Sequence, residues 1–326
     1  MRIQWIQYVI DGLRGKTKRR HNELLRQQTK LLQDMLYTLE RQRYTGGQRW
    51  ERELQERYNN PLYLEGYGYK VFSQNDEDGI INEIFHRIKT TNKIFIEFGV
   101  QDGIESNSHL LLTTGWKGLW IEGDSRYCLQ INEKFRTSLQ EQRLTLLNSF
   151  ITRDNINHLF RLANIQGEID FLSVDIDGND WHILKSILEG TQINPRVICV
   201  EYNALIPPAY DVDDTSTDWV MEYVEDWKWN GDDCQGASLS ALYRLCREHK
   251  YDLVGTCANG VNAFFVRNDL VQDKFISCHH GGGVLSLYNP WRHQSTTYLK
   301  PFTVSLMNLH EDMQYRLELY KKYYKR

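Results

Sequence analysis

The chain has 326 residues, of which 41% are hydrophobic and 25% charged, with a formal net charge of -4. That length holds one large α/β domain plus an appendage, or two modest domains, while a mean hydropathy of -0.57 and the lack of any 18-residue apolar run argue against a spanning helix. Six cysteines without a CxxC pair exclude a disulfide scaffold, a zinc ribbon and a thioredoxin-type site; scattered in this way they point to a reducing, cytoplasmic setting.

Charge is unevenly spread. Residues 1–60 carry 13 Lys+Arg against 7 Asp+Glu, and the other 266 carry 26 against 36. The acidic body excludes sequence-independent nucleic-acid binding, which needs a basic surface. Residues 1–60 read as a helical extension. Ile3, Trp5, Ile6, Val9, Ile10 and Leu13 recur at near-helical spacing, and Arg14, Lys16, Lys18, Arg19 and Arg20 follow. Such a stripe packs on its own protein or on a sister subunit, or it lies through residues 1–20 on the inner face of a membrane, against anionic lipid. Leu25, Leu32 and Leu39 form a short imperfect heptad, which fits either a coiled-coil homo-oligomer or one solvated helix.

The body, 61–275, alternates strands and helices. Apolar runs at 93–99, 117–123, 144–150, 169–176 and 196–203 have the composition of strands buried on both faces of a parallel sheet. Helices are predicted at about 126–140, at 153–164 with Thr152 or Asp154 as N-cap, and at 180–189 closed by Gly190. A further helix, 237–250, precedes strands at 251–257 and 262–268, joined by the Ala258-Asn259-Gly260 turn. That last pair reads as an antiparallel hairpin. The predicted fold is therefore α/β: a doubly wound, mostly parallel, seven-stranded Rossmann-like sheet. Its closing hairpin resembles the fold of S-adenosylmethionine-dependent (class I) methyltransferases. Residues 276–326 read as a loop and helix packing on this domain.

Ligands of open α/β sheets sit at the carboxyl ends of the strands. There the first strand offers Gly99 and Gly103, which let backbone approach a ligand, and Glu97 and Asp102, acceptors for a cationic amino-acid group or ordered water. The second ends in Glu122, placed to accept from ribose hydroxyls. The third ends in Asn148, Ser149 and Phe150, suited to the edge and face of an adenine.

The strings SQNDEDGIINEIF (73–85), IEFGVQDGIESNS (96–108), GWKGLWIEG (115–123), DFLSVDIDGND (170–180), VEYN (200–203), GASLSAL (236–242) and GVNAFFVRN (260–268) together resemble FkbM-type methyltransferases. They are most similar to a branch found with bacterial glycan and surface-polysaccharide genes. The resemblance runs from about Lys70 to Asn268, with Gln101 where the family's cofactor loop carries a glycine. It implies methyl transfer from S-adenosylmethionine to a hydroxyl, often of a saccharide or glycoconjugate.

Asp175, Asp177, Glu201 and Asn203 cluster at the ends of strands four and five. Hard oxygen donors of this kind suit Mg²⁺, Mn²⁺ or Ca²⁺, and the arrangement resembles metal-dependent O-methyltransferases, in which a bound ion lowers the pKa of the substrate hydroxyl. Alternatively Asp175 acts as a metal-free general base while the others cap helices or bind substrate. His182 is the other candidate base, or a solvated or capping histidine.

The insertion 204–236, with Tyr210, Asp211, Asp213, Asp214, Trp219, Trp227 and Trp229, reads as a substrate wall, an oligomer contact or a mobile lid. Ser73, Gln74 and Asp76 either fold across the pocket or, at Asp76–Asp78, start a helix. His279 and His280 read as part of a glycine-rich loop. A reading from another class is a catalytically inactive cofactor-binding scaffold that assembles through the N-terminal helices.

Overall fold

The computed structural model describes residues 56–228, 235–276, 278 and 283–290. The N-terminal helices expected within residues 1–55, Trp229, the His279–His280 loop and 291–326 lie outside these residues. The chain divides into two compact units, Met1–Asn59 and Asn60–Arg326. The sheet and its flanking helices belong to the second unit. None of its described helices is long and apolar enough to cross a membrane.

Seven strands form one sheet: β1 Ile94–Phe98, β2 Lys117–Glu122, β3 Leu144–Asn148, β4 Gly167–Val174, β5 Ile193–Glu201, β6 Tyr251–Thr256 and β7 Asn262–Arg267. Their order is β3-β2-β1-β4-β5-β7-β6. The first five run parallel, and β7 enters antiparallel beside β5 and pairs with β6 as a hairpin. This is the doubly wound, mostly parallel seven-stranded sheet with a closing hairpin that the sequence predicts. The strand order reverses between β1 and β4, and at such a switch point a crevice opens at the carboxyl ends.

Strand alternation sends successive residues to opposite faces, and both faces are covered. Ile96, Phe98, Leu119, Ile121, Leu172 and Ile198 pack on one side with α5 (Ile156–Leu162), α6 (Asp180–Gly190) and α7 (Leu239–Glu248). Phe95, Trp120, Phe171, Val197, Cys199 and Phe264 face the other, against α1 (Glu77–Ile88), α2 (His109–Thr113) and α3 (Ser125–Lys134). Two further short helices are α4 (Arg136–Gln140) and α8 (Asn268–Val271). The five cysteines in the described residues are buried free thiols.

Helix limits depart from the expected ones for local reasons. The segment 126–140 splits into α3 and α4 at Phe135, whose ring turns inward against Trp120. At 152–155 the side chains of Thr152 and Asn155 each accept the other's backbone N–H, so α5 starts after Asn155 and not at Arg153. Thr191, at φ 50°, takes the left-handed position that ends α6, and Gly190 stays inside the helix. Ser238 caps α7 by accepting from Ala241 N–H.

The end of the sheet remote from the crevice is tied by one buried ion pair. Asp170, on β4, is fully buried and accepts from the backbone N–H groups of Thr91, Asn92 and Lys93, the residues that lead into β1. Arg196, on β5, pairs with Asp170 and donates to the Ile88 and Lys89 carbonyls at the end of α1. One guanidinium thus joins α1, β4 and β5. Breaking a buried pair by removing one partner strands the other charge, at a cost of about 3–5 kcal/mol. Arg196→Met should lower unfolding stability by about that amount in urea titrations, and Asp170→Asn combined with Arg196→Met should recover part of it.

Candidate functional site

A cavity of about 950 Å³ opens at the carboxyl ends of β1, β2, β4 and β5. One part is lined by Gly99–Asp102, Glu122–Tyr127 and Ser149–Ile151. Another is lined by Gln74, Glu77, Asp175–Asp177, Glu201, Trp227, Lys228, Val261 and Asn262.

The first part is built on the β1–α2 loop. Gly99 has φ 64°, and a Cβ there would sit 2.4 Å from the Asp175 carbonyl oxygen. Only glycine lets β1 end this close to β4. Gln101 has φ 51°, a glycine-like conformation held by a non-glycine residue, and its N–H donates to Glu122 Oε2 at 2.8 Å. Glu122 Oε1 accepts from Asp124 N–H at 2.8 Å. Each carboxylate oxygen has two lone-pair directions, so Glu122 orders both neighbouring loops and keeps acceptor capacity toward the cavity. Burial raises its pKa, with the two backbone donors acting against it. Phe150 lines the cavity and is 45% exposed. Asp102 pairs with Lys134 at 2.7 Å.

Glu97 lines the cavity floor and is already tied to the β1–α2 loop. It accepts from the N–H groups of Asn107 and Ser108, both at 2.8 Å, and from the Ser108 hydroxyl. Trp120 Nε1 donates to that same hydroxyl. Burial nevertheless pushes Glu97 up to about 7.

Two other residues expected here turn elsewhere. Gly103 does not line the cavity; a Cβ there would meet Trp120 and Phe135 at 2.6 and 2.9 Å, so this glycine serves packing. Asn148 also stays outside the lining. Its amide donates to the Glu122 and Gly123 carbonyls and its Oδ1 accepts from Ser125.

The second part gathers carboxylates. Oxygens of Asp175, Asp177 and Glu201 all lie within 4.8 Å of one another. Asp180 shapes the loop that carries two of them, accepting from Ile176 N–H and Gly178 N–H at 2.8 Å each. Asp177 sits at φ 58°, a conformation that aspartate tolerates better than most residues. No cationic side chain among the described residues pairs with Asp175, Asp177 or Glu201. Burial raises all three; at Asp175 repulsion from Asp180 and Asp177 adds to it, and at Glu201 repulsion from Asp175 and Asp180, so both rise strongly. An all-oxygen donor set carrying up to three negative charges fits a hard divalent cation.

Asn203 is not in this set. Its amide donates to the Gln235 carbonyl and its Oδ1 accepts from Leu205 N–H, so the side chain holds the turn that opens the insertion. His182 likewise lies outside the cavity lining; its ring Nε2 is 2.8 Å from the Met221 carbonyl oxygen and its ring packs edge-on to Tyr223.

In the 73–78 segment, Ser73 and Asp76 are buried away from the cavity lining and α1 begins at Glu77. Gln74 reaches the cavity, and Asp78 Oδ2 gathers the N–H groups of Val71, Phe72 and Ser73 at 2.6–2.9 Å as α1 begins. Within the insertion, Trp227 lines the cavity and donates from Nε1 to the Asp177 carbonyl at 2.7 Å. Tyr210 stays 89% exposed, and Asp213 and Asp218 pair with Arg247 and Arg244 of α7. Glu77, Lys228 and Asn262 also line the cavity, and sequence reasoning missed them. Glu77 lies in a helix-start string, and only the β5–β7 register brings Asn262 to the crevice.

Neither a family model nor a curated protein sequence matches the chain. Solved structures similar to it include an O-methyltransferase from Bacillus cereus in complex with SAH, at 14% identity over 66% of this chain and 87% of that one, TM-score 0.37. The SAH-bound Podospora anserina methyltransferase PaMTH1 is 16% identical over 58% and 78%, TM-score 0.36. The methyltransferase domain of bacterial CtHen1 is 13% identical over 58% and 96%, TM-score 0.34. Likenesses this distant do not transfer chemistry, which has to be read from the cavity's own residues.

Asp76 gives a pH test of the floor beneath the site. It is fully buried, accepts from Ala258 N–H, and is raised from 3.8 to about 7 by burial and by the neighbouring Glu77 charge. Its folded pKa exceeds its unfolded one, so the folded state holds the extra proton. Its contribution to stability is therefore complete below about pH 4 and is lost as pH rises toward about 7. Asp76→Asn should flatten the pH profile of unfolding across that window and gain at least about 1 kcal/mol over the unaltered chain at pH 8, measured by urea titration at several pH values.

Proposed function

We propose that the chain is an S-adenosylmethionine-dependent O-methyltransferase acting on a hydroxyl of a saccharide or glycoconjugate, with a divalent cation at the acceptor side. The observation that carries this reading is the single cavity joining two chemically different ends. One has a loop backbone at Gly99, an acceptor at Glu122 and an open aromatic face at Phe150. The other has three close carboxylates without a cationic partner among the described residues.

Glu122 is placed to accept from the two ribose hydroxyls, Phe150 to cover an adenine face, and Gly99–Asp102 to border the amino-acid portion. The carboxylates would hold Mg²⁺ or Mn²⁺, which supplies acidification of a bound hydroxyl. In the transfer the acceptor oxygen bonds to the methyl carbon as the carbon–sulfur bond breaks. The bonding pair passes to sulfur, and the hydroxyl proton leaves through a neighbouring carboxylate to water. Asp175, nearest the β4 end, is the residue for that proton. Trp227 and Lys228 border the acceptor end, where an indole face and a cation suit a polyhydroxylated ring with acidic substituents. The glycan acceptor is supported by the FkbM-type motifs and by this lining.

A second reading, a cofactor-binding scaffold without turnover, is favoured by nothing specific in the cavity. Calorimetry with S-adenosylmethionine followed by assay of S-adenosylhomocysteine release with candidate sugars separates the two. Cofactor binding without turnover under any acceptor or cation would support the scaffold.

Glu122→Ala should weaken S-adenosylmethionine binding by about tenfold or more, since a charge-assisted hydrogen bond contributes about 1.5–3 kcal/mol; unchanged affinity would remove Glu122 from the site. Asp175→Ala should abolish turnover while cofactor affinity stays within about twofold, and EDTA should do the same to the unaltered chain. Turnover indifferent to EDTA would defeat the cation and leave Asp175 as a base.

A further inference from the structure

The carboxylate cluster has three oxygen ligands from the ends of β4 and β5, and the amide expected to complete it, Asn203, is turned into the insertion. A different amide stands in the right place. Asn262, the first residue of β7, lies opposite Glu201 in the antiparallel β5–β7 pair. Residues directly opposite in such a pair put their side chains on the same face, with Cβ atoms about 4.5–5.5 Å apart. Asn262 therefore stands beside Glu201 and lines the same cavity.

Its orientation is fixed from behind. Asn262 Nδ2 donates to Glu77 Oε1 at 3.0 Å. Asn75 N–H, Asn75 Nδ2 and the Cys257 thiol also donate to the Glu77 carboxylate. A carboxylate gathering four donors accepts only the NH₂ end of an amide, so the Asn262 carbonyl oxygen must point away from Glu77. The Asn262 backbone is held as well, its N–H on Cys257 Sγ and its carbonyl on Cys257 N–H. Yet Asn262 Oδ1 has no hydrogen-bond partner, although the residue is only 3% exposed. A buried carbonyl oxygen left bare is costly, so this one calls for a partner.

We propose that Asn262 Oδ1 is the amide-oxygen ligand of the divalent cation held by Asp175, Asp177 and Glu201, and that Glu77 is the positioning residue that aims it. The inference rests on the cation reading above. A neutral donor here adds coordination without adding charge to a cluster that already repels itself, and it bridges the ion to the antiparallel strand. A hard cation with six or more oxygen ligands accommodates a fourth protein oxygen and keeps positions for water or an acceptor hydroxyl.

The test uses the full chain without cofactor, titrated with Mn²⁺ and followed by the electron paramagnetic resonance of the free ion. The unaltered chain should show one site, Asp175→Ala should lose it, and Asn262→Ala, checked for folding by circular dichroism, should bind at least about tenfold more weakly. No Mn²⁺ site in the unaltered chain would overturn the cation reading and this inference together. A site lost in Asp175→Ala but unchanged in Asn262→Ala would overturn this inference alone. A Mn²⁺-soaked crystal of the unaltered chain decides the matter even if Asn262→Ala does not fold. An ion within about 2.6 Å of Asn262 Oδ1 supports the assignment; an ion on the three carboxylates with that oxygen beyond about 3.5 Å defeats it.

Discussion

The constraint that organises this molecule is the repulsion among carboxylates crowded at the ends of four parallel strands. Water would screen such charges, but the sheet keeps much of it out, so each group needs a local solution. Two solutions are visible. Glu77, Asp78, Glu97 and Asp180 are surrounded by backbone and side-chain donors from adjoining loops, and they act as loop fasteners. Asp175, Asp177 and Glu201 have no such donors among the described residues and face one another. The first group shapes the crevice, and the second leaves uncompensated acids in it.

That division was only half legible in the sequence. The sheet could be read because strands buried on both faces leave continuous apolar runs, and the Ala258-Asn259-Gly260 turn announced the antiparallel end. The acids at the strand ends could be read for the same reason, since a strand that stops in Glu122 or Glu201, or one residue past Glu97, delivers that residue to the crevice. Which acids were already engaged could not, because Ser108 reaches Glu97 and Cys257 and Asn262 reach Glu77 only once the chain has folded, and even the near donors of Asp78 and Asp180 depend on how their loops turn. Side-chain direction after a strand was hidden too. Asn203 follows β5 as closely as a ligand should, but the demand of the Leu205 N–H and the Gln235 carbonyl turns it aside. Asn262 carried no mark in its own segment, because its place depends on a register between strands 61 residues apart along the chain.

Remote ordering and local chemistry are kept apart in the same sheet. Asp170 and Arg196 fasten the amino-terminal halves of β4 and β5 with a neutralised, donor-rich pair. The carboxyl-terminal ends of those same two strands carry the unneutralised cluster. A rigid tie at one end allows uncompensated charge at the other without the strands parting.

The contact between Trp227 and Gly178 carries a further implication. The indole nitrogen holds the Asp177 carbonyl, and a Cβ on Gly178 would lie 2.3 Å from that same nitrogen. The insertion, through Trp227, and the loop that bears an acid of the cluster therefore share one keyed joint. Neither can drift in sequence on its own: a larger residue at 178 would unseat the indole, and a smaller one at 227 would release the loop. Sequence change in the insertion is steered to its other residues, while this joint keeps its shape.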